Sequence, residues 1–162
     1  MIGYMYLTMV ILHVFAAVSW IGGMIFLSLV LAPLVRGRKA APEFMALFRS
    51  AALRFRPLVW VAMAILLVTG PMLLSHRGLS VMAPAAWPGV MMVKLVLVGL
   101  LFFLTLLHDL VLGPRVSHVG AIPESQRTAG EQVIFKTARW LPRLSLLIGL
   151  AVVMVATILA RS

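Results

Sequence analysis

The 162-residue chain contains no cysteine and only four acidic residues. The missing cysteine excludes a disulfide-stapled secreted domain and leaves no thiolate ligand for a metal. Charged residues make up 11% of the chain, whereas an ordinary soluble domain has about 25%. Because so few charges cannot cover a soluble surface, a water-soluble globular enzyme and a disordered chain are both excluded. The remaining composition is 63% hydrophobic, which predicts a small integral membrane protein.

The hydrophobic residues fall into four long runs, and a bilayer-spanning helix needs about 20 of them. We predict an all-α fold: one integral membrane four-helix bundle over residues 1–162, in which Gly113-Pro114 ends the third span. The stretch 42–55 is basic with apolar residues at helical spacing, which predicts an amphipathic helix on the cytoplasmic membrane surface between spans one and two. The predicted spans are 4–35, 57–74, 88–112 and 141–160.

The basic residues, which give a net charge of +10, are distributed unevenly. Eleven of them fall in the loops that follow spans one and three, counting Arg143 at the start of span four, whereas Arg77 and Arg161 lie on the opposite side. The positive-inside rule therefore predicts cytoplasmic loops, external N- and C-termini, and a multi-pass protein of the cell inner (cytoplasmic) membrane. Topology and anionic lipid headgroups account for the charge, so we expect the lipid bilayer and no nucleic acid as a partner.

Four ionisable residues lie within the predicted spans, where charge is costly and usually functional. Lys94 is predicted near the outer surface, where its ammonium group either snorkels or tunes a nearby site. His108 and Asp109 are predicted near the inner surface, and Asp109 either forms an ion pair with an arginine or relays protons. His13 either ligates a metal or haem iron or is a hydrogen-bonded core residue.

Methionine and histidine recur at the predicted outer end of the bundle. Met5, Met9 and His13 follow one another at i,i+4, and so do Met72 and His76, so each set shares a helix face. Thioether and imidazole are ligands that Cu(I) prefers. We predict His13 and Met9 as copper ligands, with Met5, Met72 and His76 as candidates for the remaining positions. The alternatives are apolar filling by the methionines and a solvated loop position for His76.

No recognised catalytic constellation accompanies these residues. The sequence has no glycine-rich phosphate loop, no paired carboxylates and no cysteine nucleophile. We therefore expect binding or transport rather than catalytic turnover.

Three segments resemble the bacterial copper-resistance D (CopD-like) membrane proteins: residues 12–36, 55–74 and 91–115. The residues that carry the likeness are His13 with Trp20-Ile21-Gly22-Gly23, Val68-Thr69-Gly70, Lys94-Leu95, and His108-Asp109 ahead of Gly113-Pro114-Arg115. This resemblance implies copper handling or transport at the cytoplasmic membrane.

His13 and Lys94-Leu95 are also similar to the haem-binding protoporphyrinogen oxidases of the HemJ type, in which the span-one histidine is a haem ligand. The chain departs from that family by lacking an aromatic, Pro-Arg-containing end to span one. This likeness implies an alternative, a b-type haem protein for electron transfer or a HemJ-like oxidase, with His13 and either His76 or Met72 as axial ligands. A membrane subunit of a larger redox complex, a homo-oligomer and a purely structural subunit without cofactor are further alternatives.

Overall fold

A computed structural model describes residues 2–36, 42–120 and 126–161, and these residues are helical apart from short turns. Four stretches are long and apolar enough to cross a membrane, which confirms the prediction of an all-α, four-span protein. No strand occurs within the described ranges. The α-helices are α1 (Ile2–Ile25), α2 (Ala32–Arg36), α3 (Pro42–His76), α4 (Gly89–Leu106), α5 (Gly113–Gly120) and α6 (Ala129–Arg161).

The chain divides into two compact units, Met1–Gly89 and Val90–Ser162. We refer to them as the N-terminal unit, which contains α1 to α3, and the C-terminal unit, which contains nearly all of α4 together with α5 and α6. Each unit holds two of the four membrane-spanning stretches. That all four spans form one domain stays a prediction.

Within the N-terminal unit, α1 packs closely along α3. Trp20 and Ala62 are buried in this packing, with 2% and 3% of their surface exposed. At Gly23 an added Cβ would overlap the ring of Phe55, so a larger residue there would require the ring to move. Close packing at a small residue is thus observed at Gly23.

Residues 42–55 are helical, as predicted, but they do not form a separate surface helix. They are the first part of α3, which continues without interruption through Pro57 and the predicted second span to His76. A proline removes one backbone hydrogen bond from a helix. Membrane helices tolerate this loss, because neighbouring groups or local adjustments satisfy the freed carbonyl.

The predicted helix stop at Gly113-Pro114 is wrong. A π-helical turn over Leu107–Leu112 precedes it, and α5 then continues the helix to Gly120. The N–H of Gly113 donates to the carbonyl of His108, which is the wider hydrogen-bond spacing of a π turn. Because the helix is wider there, the ring of Pro114 enters it without ending it.

The N-terminal unit contains the same combination of a π turn and a following proline. A π turn over Phe26–Leu31 lies between α1 and α2, and the N–H of Ala32 donates to the carbonyl of Leu27. Both π turns end two residues before a proline, and the local sequences are Leu-Val-Leu-Ala-Pro at 29–33 and Leu-Val-Leu-Gly-Pro at 110–114. The two units therefore repeat one solution for placing proline inside a long helix.

The helix α6 begins twelve residues before the predicted fourth span because Thr128 and Glu131 form a capping box. The Thr128 N–H and hydroxyl donate to one Glu131 carboxylate oxygen at 2.7 and 2.9 Å, and the Glu131 N–H donates to the Thr128 hydroxyl at 3.4 Å. With 33 residues α6 is about 50 Å long, whereas the hydrocarbon core is about 30 Å thick. Its first part therefore extends beyond the hydrocarbon.

Candidate metal-binding seam

A hydrogen bond between His13 and Thr69 joins α1 to α3. The His13 Nδ1 atom lies 2.8 Å from the Thr69 hydroxyl oxygen, and Thr69 is 5% exposed. The Thr69 hydroxyl donates to the carbonyl of Ile65 at 2.7 Å. Because a hydroxyl has a single proton to give, Nδ1 of His13 must donate to Thr69. In the neutral imidazole the lone pair is then on Nε2, which is how a hydrogen-bonding partner orients a histidine that ligates a metal.

A second contact joins the same two helices at Tyr6 and His76. The two rings are stacked, with centroids 5.1 Å apart and planes inclined by 28°. His76 is exposed, and its Nδ1 lies 3.2 Å from the carbonyl of Met72. Since a carbonyl only accepts, Nδ1 donates here too, and the lone pair of the neutral ring is again on Nε2.

These two contacts define the register of α1 against α3. Tyr6 precedes His13 by seven residues and His76 follows Thr69 by seven, so the helices are antiparallel and the contacts lie two turns apart. Seven helical residues span about 10.5 Å. We call the strip that these positions share the His13 seam; it comprises Tyr6, Met9 and His13 of α1 and Thr69, Met72 and His76 of α3.

The methionines of the seam lie at levels between the two imidazoles. Met9 is half-buried and lies one turn from His13, on the side of Tyr6. Met72 lies about one turn from Thr69, on the side of His76. Met5 lies one turn beyond Met9 and is 56% exposed, at the edge of the seam. The seam therefore offers imidazole and thioether groups on successive turns of the two helices.

The structure does not place His13 and His76 at one level. Two histidines that share a metal have their ligating nitrogens about 4 Å apart, because each metal–nitrogen bond is about 2 Å long. Here Thr69 holds one imidazole and Tyr6 stacks on the other, and the backbone positions of these two contacts lie about 10.5 Å apart along the helices. The seam thus suits separate binding positions better than a single ion held by both rings.

A Schellman motif ends α3 directly after His76. The N–H of Leu79 donates to the carbonyl of Leu74 at 3.2 Å, and the N–H of Gly78 donates to the carbonyl of Ser75 at 3.0 Å. Gly78 has a φ of +74°, which glycine adopts readily. The motif holds His76 in the last turn of α3, where the negative end of the helix dipole favours a cation.

The remaining ionisable candidates lie in the C-terminal unit. His108 and Asp109 are in the π turn over Leu107–Leu112, and Lys94 is half-buried in α4. Within residues 2–36, 42–120 and 126–161, no three histidine or carboxylate side chains come together as a metal site. A metal ion in the N-terminal unit would therefore depend on thioether ligands as well as imidazole.

The contribution of Thr69 to the seam is not predictable from the sequence. Thr69 belongs to the Val68-Thr69-Gly70 segment that resembles the copper-resistance D proteins, yet no pattern assigns it a partner. Its partner His13 is 56 residues away in the chain. A polar residue in an otherwise apolar span is the available signal, because such a group needs a hydrogen-bonding partner in lipid.

The family model described as copper resistance protein D matches residues 49–159 of this chain. The match includes Thr69, Met72 and His76 on α3, and it begins after α1, which carries Met5, Met9 and His13. No curated protein and no solved structure matches the chain.

Proposed function

This chain belongs to the copper resistance protein D family, and from that premise we propose that it passes Cu(I) along the His13 seam. The matched residues cover more than half of the chain, and its four apolar helices make it a multi-pass membrane protein. The family supports a role related to copper resistance. The proposal adds a path for the ion, in which His76, Met72, Met9 and His13 are successive ligands and Met5 is an accessory ligand at the edge.

The hydrogen bond from His13 to Thr69 is the observation that carries this proposal. It engages Nδ1 with a protein partner, so in the neutral imidazole the lone pair is on Nε2, the atom that we propose as the copper ligand. A histidine needed only to fill the core would be expensive at this position, since its polar ring must be satisfied inside a membrane span.

The chemistry of the seam favours a monovalent soft ion. Glu43 is the sole acidic residue before Asp109 in the sequence, so α1 and the spanning part of α3 contain no carboxylate. Thioether and neutral imidazole bring no negative charge to offset a divalent ion. Cu(I) is soft, accepts sulfur and nitrogen together and tolerates few ligands, so it fits this set better than Cu(II) or Zn(II).

The spacing of the ligands supports passage rather than tight storage. Neighbouring donors along the seam lie about one helical turn apart, which is about 5.4 Å. An ion held by few ligands at each step can exchange one neighbour for the next. Transfer of the ion in steps of this length would use both His13 and His76, because they lie at different positions along the His13 seam.

The haem alternative rests on the same imidazole, because a fixed Nδ1–H tautomer would serve an axial iron ligand equally well. The two-turn separation opposes a haem held by both His13 and His76. If haem is bound, the axial pair to test is therefore His13 with a methionine.

Competition for Cu(I) tests the proposal. We expect the purified protein in lipid nanodiscs to take Cu(I) from a chromophoric chelator such as bicinchoninate. The His13→Ala variant should weaken this binding by more than about tenfold, the cost of losing even an orienting partner of a ligand. The Met9→Leu variant should weaken it while leaving the fold intact, because Leu and Met are similar in volume.

The matched control is Met154→Leu, which replaces an exposed methionine of the C-terminal unit. Equal affinities of the wild type, His13→Ala and Met9→Leu would refute the seam as the copper path. An intense Soret band in the purified protein that disappears in His13→Ala would show haem binding instead.

A further inference from the structure

The C-terminal unit contains a cavity that the proposed copper path does not include. It lies between the second π turn with α5 on one side and α6 on the other, and its volume is about 230 Å³. A cavity of about 150 Å³ accommodates benzene, so this one has room for several methylene groups. Its lining is apolar except for one imidazole: His108, Leu112, Gly113, Val116, Phe135 and Ala138.

A guanidinium group stacks on an aromatic ring that forms part of the cavity wall. The guanidinium carbon of Arg127 lies 4.4 Å from the centroid of the Phe135 ring, and Phe135 lines the cavity. Stacking on a ring engages the face of a guanidinium, whereas a phosphate is bound by its edge N–H groups. An arginine in this position is therefore oriented to bind a phosphate beside an apolar chamber.

A second arginine–aromatic pair indicates where the cavity lies relative to the membrane. The guanidinium carbon of Arg143 lies 4.5 Å from the centroid of Trp140, which is 65% exposed. The apolar residues after Trp140 suffice to cross about 30 Å of hydrocarbon, so Trp140 lies at the interface, where tryptophan is enriched. Phe135 and Ala138 are within about two turns of it along α6, so the cavity is at the level of the lipid headgroups.

The side chains near the cavity carry a net positive charge, which favours an anionic ligand. Among the side chains that the structure describes within residues 107–143, four are basic (Arg115, Arg127, Lys136 and Arg143) and two are acidic (Asp109 and Glu131). One of these acids, Glu131, keeps its negative charge in the capping box, where it accepts two hydrogen bonds from Thr128 and interacts electrostatically with Arg127. An apolar chamber at headgroup depth, next to a net positive charge, matches a molecule with an acyl chain and an anionic phosphate.

We propose that this cavity, together with Arg127, is a binding site for an anionic phospholipid. The phosphate binds to the guanidinium of Arg127, and the first methylene groups of an acyl chain enter the cavity beside Phe135 and Ala138. A free phosphate ion would use the arginine alone, and a zwitterionic lipid would use the chamber without the charge preference. The site is separate from the His13 seam, which lies in the N-terminal unit.

Native mass spectrometry of the full-length protein in detergent, titrated with phosphatidylglycerol or phosphatidylcholine of equal chain length, tests this site. We expect the wild type to prefer phosphatidylglycerol by about fivefold, the contribution of one basic residue near an anionic lipid. Arg127→Gln should bind both lipids equally. Ala138→Leu, which fills the chamber, should lower the retention of both. The control Arg161→Gln, at the opposite end of α6, should behave as the wild type does.

Circular dichroism reports whether each variant is folded. Should Ala138→Leu fail to fold, Phe135→Leu replaces it and should lower phosphatidylglycerol retention, because Arg127 loses its support. An unchanged preference in Arg127→Gln would overturn the proposal. So would full displacement of phosphatidylglycerol by inorganic phosphate, since that result assigns Arg127 to free anions.

Discussion

Nδ1 of His13 donates a hydrogen bond of 2.8 Å to the hydroxyl of Thr69, across two helices and 56 residues of sequence. The bond couples the packing of α1 against α3 to the chemistry of the imidazole. Loss of the Thr69 hydroxyl should therefore change both the stability of the N-terminal unit and its affinity for Cu(I).

Thr69→Val tests that coupling because it keeps the shape of the side chain and removes the acceptor. We expect a loss of about 1–3 kcal/mol in the free energy of unfolding, since a polar group loses its partner away from water. Cu(I) affinity should fall about tenfold, as it does when the partner that orients a ligand is lost. Thermal unfolding in detergent and chelator competition measure the two effects. Thr69→Ser keeps a hydroxyl and should restore most of both, and a Val variant equal to the wild type in affinity would contradict the coupling.

The separation of His13 and His76 leads to a second prediction. Groups more than about 7–10 Å apart act independently to within about 0.5 kcal/mol. His76→Ala should therefore change the Cu(I) affinity of the His13 position by no more than about twofold, although it removes an imidazole from the same seam. A loss in His76→Ala as large as the loss in His13→Ala would show that both rings hold one ion.

Gly23 should be the most size-sensitive position in the packing of α1 on α3. A methyl group there overlaps the ring of Phe55, so Gly23→Ala should cost about 1–3 kcal/mol of stability. Its neighbour Gly22 is the matched control, because a methyl group added there meets no described atom within 4 Å. Gly22→Ala should be neutral or slightly stabilising, since alanine favours a helix more than glycine does.

The double variant Gly23→Ala/Phe55→Leu separates the mechanism from a general intolerance of substitution. A leucine side chain is smaller than the Phe55 ring and should make room for the methyl group, so the melting temperature should recover part of the loss. If the melting temperature does not recover at all, the overlap with Phe55 is not the cause of the destabilisation by Gly23→Ala.

The capping box at the start of α6 gives a local prediction. Thr128→Ala removes one partner of Glu131 and should destabilise the first turn by about 1 kcal/mol. Hydrogen exchange should therefore accelerate in residues 129–133 and remain unchanged in the second half of the helix. Thr157→Ala is the control, because that hydroxyl bonds within the helix to the carbonyl of Met154. Equal exchange in the wild type and Thr128→Ala would contradict a capping role.

The sequence was sufficient to predict the four spans because hydropathy alone decides which segments enter a membrane. Helical periodicity likewise placed Met9 and His13 on one face of α1, and both lie in the seam. The continuation of α5 beyond Pro114 was not predicted, because a Gly-Pro pair ordinarily ends a helix. The signal that could have revealed it is the near-identity of residues 29–33 and 110–114, since each accompanies a π turn.

Pairing across helices is the part that the sequence does not contain. Periodicity assigns His13 a face, but the register of α1 against α3 decides whether Thr69 or His76 lies opposite it. That register depends on side-chain packing at positions such as Gly23 and Phe55, many residues apart in the chain. Helical periodicity therefore predicted which residues are candidate ligands. It could not predict which residues of α1 and α3 lie at the same height along the two helices.

X-ray absorption spectroscopy of the protein loaded with one equivalent of Cu(I) tests the central claim most directly. We predict a low-coordinate Cu(I) edge with both sulfur and imidazole nitrogen in its ligand shell, and a smaller nitrogen contribution in His13→Ala, in which His76 is the remaining imidazole of the seam. A shell made of nitrogen and oxygen alone, or a spectrum that His13→Ala leaves unchanged, would contradict passage of copper along the His13 seam.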